Sequence, residues 1–177
     1  MWRFIIPIGL FATLAVFLLV GLGRDKETLP SPLIGKPAPA FTLPSIEDPS
    51  RNVSSSDYAG RMYVLNVWAT WCVGCRHEHK ALMEIARRGE VPLVGLDWKD
   101  ELPLARNWLA QLGNPYVATA FDAEGRVAID WGVYLAPETF LVDAAGRIVH
   151  KHFGPMTLEA WEQDFMPLVL GSKKASE

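Results

Sequence analysis

The chain has 177 residues, 50% hydrophobic and 21% charged, the composition of a folded domain and not of a disordered segment. A formal net charge of −3 with no basic stripe excludes nucleic acid as a natural partner. The two cysteines are Cys72 and Cys75, which excludes a disulfide framework spread along the chain.

Phe4 to Gly23 contains no charged residue, and about twenty apolar residues in a helix span a bilayer's hydrocarbon core. Arg3 precedes it and Arg24, Asp25, Lys26 and Glu27 follow, a mixed flank that orients the segment only weakly. Its length favours an uncleaved anchor over residues 1–24. A cleaved signal peptide ending near Gly21-Leu22-Gly23 is the alternative. Either sends the remainder across a membrane, where disulfide chemistry is permitted. Residues 25–37, with Pro30, Pro32 and Pro37, read as a Pro-rich tether. The domain is expected over 38–172, and 173–177 as a polar tail.

Ala40–Leu43 is expected as a short strand and 46–61 as a polar loop with at most a helical turn. Met62–Trp68 is apolar and β-branched, the pattern of a buried strand. His77–Arg88 places Leu82, Ile85 and Ala86 at helical spacing, with Arg87 and Arg88 in the last turn and Gly89 beyond. Leu93–Asp97 is a second buried strand, Leu102–Leu112 an amphipathic helix ended by Gly113, and Ala118–Asp122 a short strand. Val127–Trp131 reads as a short helix. Thr139–Val142 and Ile148–Phe153 form a hairpin across the turn 143–146. Leu158–Leu170 closes the chain as a helix capped by Thr157. The order β-α-β-α-β-α-β-β-α is that of an α/β fold: a mixed central sheet with helices on both faces.

The chemical signal is Trp68-Ala69-Thr70-Trp71-Cys72-Val73-Gly74-Cys75-Arg76, which follows a strand and opens a helix. A helix N-terminus carries partial positive charge and unpaired N–H groups, which stabilise a thiolate. Cys72, at the exposed end, is therefore the expected nucleophile. Cys75, one turn below, is the expected resolving thiol. Three other readings compete. Covalent haem attachment needs His where Arg76 stands. Zinc could recruit His77 or His79 but lacks a second ligand pair. An inert structural disulfide would close only a very small ring. No Gly-rich phosphate loop occurs, so no nucleotide or flavin cofactor is implied, and no metal is expected.

W-C-x-x-C between a buried strand and a helix resembles the thioredoxin superfamily. The stretch Gly132-Val133-Tyr134-Leu135-Ala136-Pro137-Glu138-Thr139-Phe140-Leu141-Val142-Asp143 is similar to a segment of the DsbE/CcmG family of thiol:disulfide interchange proteins in cytochrome c maturation. The chain departs from that family at Val73, where Pro is common, and at Leu135, where a small residue is usual. The resemblance implies a thioredoxin-like fold and a cis Ala136–Pro137 bond facing the cysteines. It also implies acidic roles for Glu78 and Glu138, carboxylates that would disfavour a nearby thiolate and make the pair a reductant, with Arg76 acting the other way. Trp71 is expected to cover the disulfide, Trp68 to pack in the core, and His77 and His79 to lie at the surface. The implied setting is the periplasmic side of the inner membrane, with a single membrane span. The implied partners are an apocytochrome c or a carrier in its maturation, and an electron donor of the DsbD or CcdA kind. A general periplasmic reductase or oxidase, a thiol peroxidase, and a chaperone-like module stand as alternatives.

Overall fold

The computed structural model describes residues 2–22 and 31–175. They divide into two units, Met1–Pro30 and Ser31–Glu177. In the first, helix α1 spans Trp2–Leu22. Its described side chains, residues 4–18, are apolar except Thr13 and almost all exposed. Among the described residues no helix is long and apolar enough to cross a membrane. The ends of the expected anchor lie outside the described side chains.

In the second unit, β1 (Thr42–Pro44) and β2 (Asn52–Ser54) form a small antiparallel pair. The main sheet contains β3 (Tyr63–Trp68), β4 (Leu93–Trp98), β5 (Ala118–Asp122), β6 (Glu138–Val142) and β7 (Ile148–Phe153), in the order β5-β4-β3-β6-β7. Strand β3 is central, parallel to β4 and antiparallel to β6. All six of its residues are buried, as a strand covered on both faces requires. The mixed sheet expected from sequence is therefore present.

Helix α2 (Val73–Arg88) carries β3 over to β4, and α3 (Leu102–Leu112) carries β4 to β5. Gly89 ends α2 in the left-handed region at φ 65°, its N–H bonded to Ala86. Arg87 and Arg88 fill the last turn, where cations complement the helix dipole. Helix α4 (Arg126–Asp130) follows β5, and the chain closes with α5 (Leu158–Ala160), a π-helical turn over Trp161–Phe165, and α6 (Met166–Ala175). Thr157 caps α5 by accepting the N–H of Ala160 at 3.0 Å.

Each face of the sheet has its own core. On one, Val64, Trp68, Leu93 and Leu141 pack with Leu82 and Ile85 of α2, Trp108 of α3, and Trp161 and Phe165. On the other, Leu65, Val67, Leu96 and Phe140 pack with Ala128 of α4 and with Trp131, Phe41 and Val53. Each fully buried large side chain contributes about 1.5–3 kcal/mol relative to exposure.

Three local features differ from the sequence expectation. The polar loop over 46–61 contains strand β2 in addition to the one helical turn expected there, a 3₁₀ turn at Ser55–Tyr58. Residues 31–37 pair with β7 and the turn before it: Gly35 N–H donates to Ile148 O at 2.7 Å, and Ile148 N–H to Lys36 O at 3.0 Å. The remaining tether residues, 25–30, lie outside the described residues. The closing helix carries the π turn, which stacks the fully buried rings of Trp161 and Phe165 at 5.2 Å.

Candidate active site

Strand β3 delivers the chain to the end of the sheet, where Cys72 forms the N-cap of α2 in extended conformation (φ −87°, ψ 111°). Its Sγ accepts the N–H of Cys75 at 3.0 Å. An N-cap position presents free helix N–H groups to whatever negative charge is placed there. Cys72 and Cys75 are joined in a disulfide, their Cα atoms 5.3 Å apart. Cys72 is 5% exposed and Cys75 3%. Beside them in the chain Trp71 and Val73, and before the cis-proline Tyr134 and Leu135, are each more than half exposed.

The Ala136–Pro137 bond is cis, as the resemblance implies. A Cβ at Gly74 would stand 2.8 Å from Pro137 Cδ and 3.3 Å from Pro155 Cγ. Glycine is thus the residue that lets the two proline rings close over the first turn of α2.

Glu78, one turn after Cys75, is buried at 1% exposure. Its Oε1 accepts Asn66 Nδ2 at 3.0 Å and its Oε2 accepts the Met156 N–H at 2.7 Å. Burial pushes its carboxyl up to about 7, against these two hydrogen bonds, which pull it down. Asn66 also donates to Thr139 Oγ1 at 3.0 Å and accepts the Tyr116 hydroxyl at 2.7 Å. Burial raises Tyr116 far above the usual phenol range, assisted by Glu78 and Asp97.

Glu138, the second acid that the resemblance implies, has a cation on it. It is fully buried beside Lys151 Nζ at 2.9 Å. Its Oε1 accepts the N–H groups of Tyr134 at 3.2 Å and Leu135 at 3.4 Å. Alternation along β6 puts Glu138 on the face of Phe140, while Thr139 shares the face of Glu78's partner Asn66. Glu138 therefore holds the loop before Pro137 and has its charge met by Lys151. Of these two glutamates, Glu78 is the one held by neutral donors and not by a cation.

Trp71 donates its indole N–H to Lys99 O at 3.0 Å and packs on Trp98 at 5.6 Å. It is 52% exposed, beside the disulfide. Trp68 is buried, stacked on Tyr116 at 5.9 Å, as expected. Arg76 lies over the Trp108 ring at 4.4 Å. His77 is exposed, but His79 corrects the expectation of a surface residue. It is buried, and its Nε2 meets Gly113 O at 3.1 Å. Burial lowers its imidazole below the usual value. Among the described residues no group of three or more His, Cys, Asp or Glu could hold a metal ion.

Sequence reasoning did not single out Asn66, Tyr116, Lys151 or Pro155. A signal existed for Asn66, the lone amide inside an apolar strand run. Lys151 in a hairpin strand reads as an ordinary exposed lysine.

A helix-capping Cys-x-x-Cys disulfide on a mixed α/β sheet, faced by a cis-proline, defines a thiol–disulfide oxidoreductase. The chain matches the Redoxin family over residues 33–165. It is 45% identical to the thiol:disulfide interchange protein DsbE of Allochromatium vinosum, over 94% of this chain and 92% of that protein. It is 41% identical to DsbE of Escherichia coli, over 93% and 91%. Its fold is like that of a secreted thiol-disulfide isomerase from Corynebacterium glutamicum (TM-score 0.67, 22% identity, 75% of this chain and 84% of the other). It is also like that of a thioredoxin-family thiol:disulfide interchange protein from Chlorobium tepidum (TM-score 0.62, 23% identity, 77% and 94%). The chain belongs to the DsbE family of thiol:disulfide interchange proteins and has the thioredoxin-like fold.

Proposed function

We propose that this protein is a membrane-anchored reductant of protein disulfides. The reduced Cys72 thiolate attacks one sulfur of a partner's disulfide. A Cys72–partner bond forms, the partner's S–S bond breaks, and its second sulfur leaves as a thiolate. Cys75, deprotonated, then attacks Cys72 Sγ and releases the first partner sulfur. Two electrons pass to the partner and the chain is left with the Cys72–Cys75 disulfide, the bonded form described above. The observation that carries the direction is Glu78. A buried carboxyl one helical turn from Cys75 disfavours a thiolate and so makes the dithiol readier to give up electrons.

The client is the Cys-x-x-Cys-His region of an apocytochrome c, or a carrier in its maturation. Haem attachment there needs free thiols in an oxidising compartment. Re-reduction comes from a membrane electron-transfer protein of the DsbD or CcdA kind. Helix α1 is the anchor and the catalytic domain faces the periplasm. Two features of α1 support this: its exposed apolar side chains need a cover, and Thr13, its polar residue among them, returns its hydroxyl to Gly9 O at 2.8 Å.

Cys75→Ala tests the client. It should freeze a mixed disulfide through Cys72 that mass spectrometry identifies. Failure to capture any protein in cells while the purified variant reacts with small disulfides would end this assignment. Carbonate extraction tests the anchor: the full chain should stay with the membrane, and a chain beginning at Ser31 should not.

A further inference from the structure

Asp97, next to last in β4, pairs in register with Trp68 on β3. It is 0% exposed, and neither carboxyl oxygen receives an N–H or O–H from a donor group. A bare carboxylate in such a place is prohibitively costly. Its neighbours add to the cost. Asp100 faces it from the β4–α3 loop, Asp122 from β5, Tyr116 from the segment before β5, and Glu78 from α2 lies beyond Tyr116. Burial, followed by the charge of Asp100, pushes the Asp97 carboxyl up to about 9. At neutral pH it is an acid with one O–H to give, and its side-chain partner is Asp100.

Asp100 in turn grips the segment leading into the disulfide. Its Oδ2 accepts the Thr70 backbone N–H and its Oδ1 the Thr70 hydroxyl at 2.8 Å. The Glu101 N–H adds a third donor at 2.7 Å. With three donors on Asp100, the proton between the two carboxyls belongs on Asp97. Lys99, between them, stands at φ 51°, a region that costs a non-glycine residue about 1 kcal/mol or more. In that conformation its carbonyl accepts the Trp71 indole N–H at 3.0 Å. The loop 99–101 thus holds both residues that immediately precede Cys72.

We propose that the Asp97–Asp100 carboxyl pair is the positioning device of this site, fixing Thr70 and Trp71 and through them the placement of Cys72 Sγ. Asp97 touches no reacting atom; it acts through Asp100. Above its titration three carboxylates face one another, and the loop releases Thr70. The consequence for catalysis rests on Cys72 being the attacking thiol, but the linkage itself does not.

The experiment uses the oxidised protein, in which neither cysteine titrates. ¹H–¹⁵N NMR follows the Thr70 amide and the Trp71 indole N–H from about pH 6 to about pH 10. Both should move together with one midpoint in the wild type. Asp97→Asn keeps a neutral donor toward Asp100 and should abolish that step. In the reduced state, reaction with oxidised glutathione should fall about tenfold in Asp97→Leu and recover to within about twofold of wild type in Asp97→Asn. The inference is overturned if Asp97→Asn titrates at Thr70 and Trp71 as the wild type does, or if the wild type shows no step. Should Asp97→Leu fail to fold, the Asp97→Asn titration alone still decides. Failure to trap a client would end the client assignment and leave the Thr70 and Trp71 titration untouched, so the two proposals fail separately.

Discussion

At Gly74 and Val73, two adjacent residues between the same cysteines face opposite constraints. Alanine normally improves a helix over glycine by about 1 kcal/mol, but a Cβ at Gly74 meets Pro137 Cδ at 2.8 Å. That atom belongs to a ring fixed to the backbone, so the backbone must shift. Gly74→Ala is expected to cost about 1–3 kcal/mol as an overpacked site, while Val73→Ala, at a 70% exposed position, should stay within about 0.5 kcal/mol. Thermal unfolding of the oxidised forms checks the contrast. Glu78 gives a second prediction, on pH. Its folded value of about 7 lies above the ordinary 4.5. Its favourable contribution is thus complete below pH 4.5 and is lost as pH rises through 7, a change of about 3 kcal/mol by linkage. Glu78→Gln should flatten urea-measured stability between pH 4.5 and 7. It should also carry a constant penalty, because an amide N–H₂ then faces one of the two donors on this site. An unchanged slope would refute the assignment of that titration to Glu78.

At the level of elements, β6 and β7 do more than complete the sheet. Lys151 on β7 reaches Glu138 on β6 and also donates to Gly132 O at 2.8 Å, so it ties both ends of the loop before Pro137. Its ammonium is surrounded by the rings of Phe153, Phe140 and Tyr134 at 4.4, 4.9 and 5.5 Å. Lys151→Met leaves a buried carboxylate without its cation and should destabilise by about 3–5 kcal/mol. Glu138→Gln combined with Lys151→Met should recover most of that, and hydrogen exchange at Tyr134 and Leu135 should quicken in the single variant only. The main strands and α3 were legible because their apolar runs and periodicity are strong. Strand β2 was not, since Asn52-Val53-Ser54 buries one side chain and takes its place by pairing with β1. The start of α2 was legible only from the cysteine motif, because Val73 and Gly74 are poor helix formers, held helical by the Cys72 cap. The π turn leaves almost no trace, as Trp161 and Phe165 fit an α-helical stripe equally well.

For the whole molecule, the cysteines, the cis-proline and Glu78 were readable from motifs, whereas the polar cluster that Glu78 joins was not. Asn66, Glu78, Tyr116 and Asp97 come from different elements, and only the sheet register brings them to one face. That cluster makes global stability depend on redox state. Folded and unfolded chains, oxidised and reduced, form a closed cycle, so any excess reducing power of the folded pair must appear as extra stability of the oxidised fold. Each 30 mV is worth about 1.4 kcal/mol in that cycle. The oxidised fold buries a neutral disulfide above Glu78, while the reduced fold must bury a Cys75 thiol that the same acid keeps from ionising. The oxidised domain is therefore expected to unfold at higher urea than the dithiol form at pH 7, and the gap should narrow in Glu78→Gln. Equilibrium unfolding of both forms, set beside the reduction potential measured against glutathione, closes the cycle experimentally. A dithiol form that outlasts the disulfide would make this chain an oxidant and reverse the direction of electron flow proposed for it.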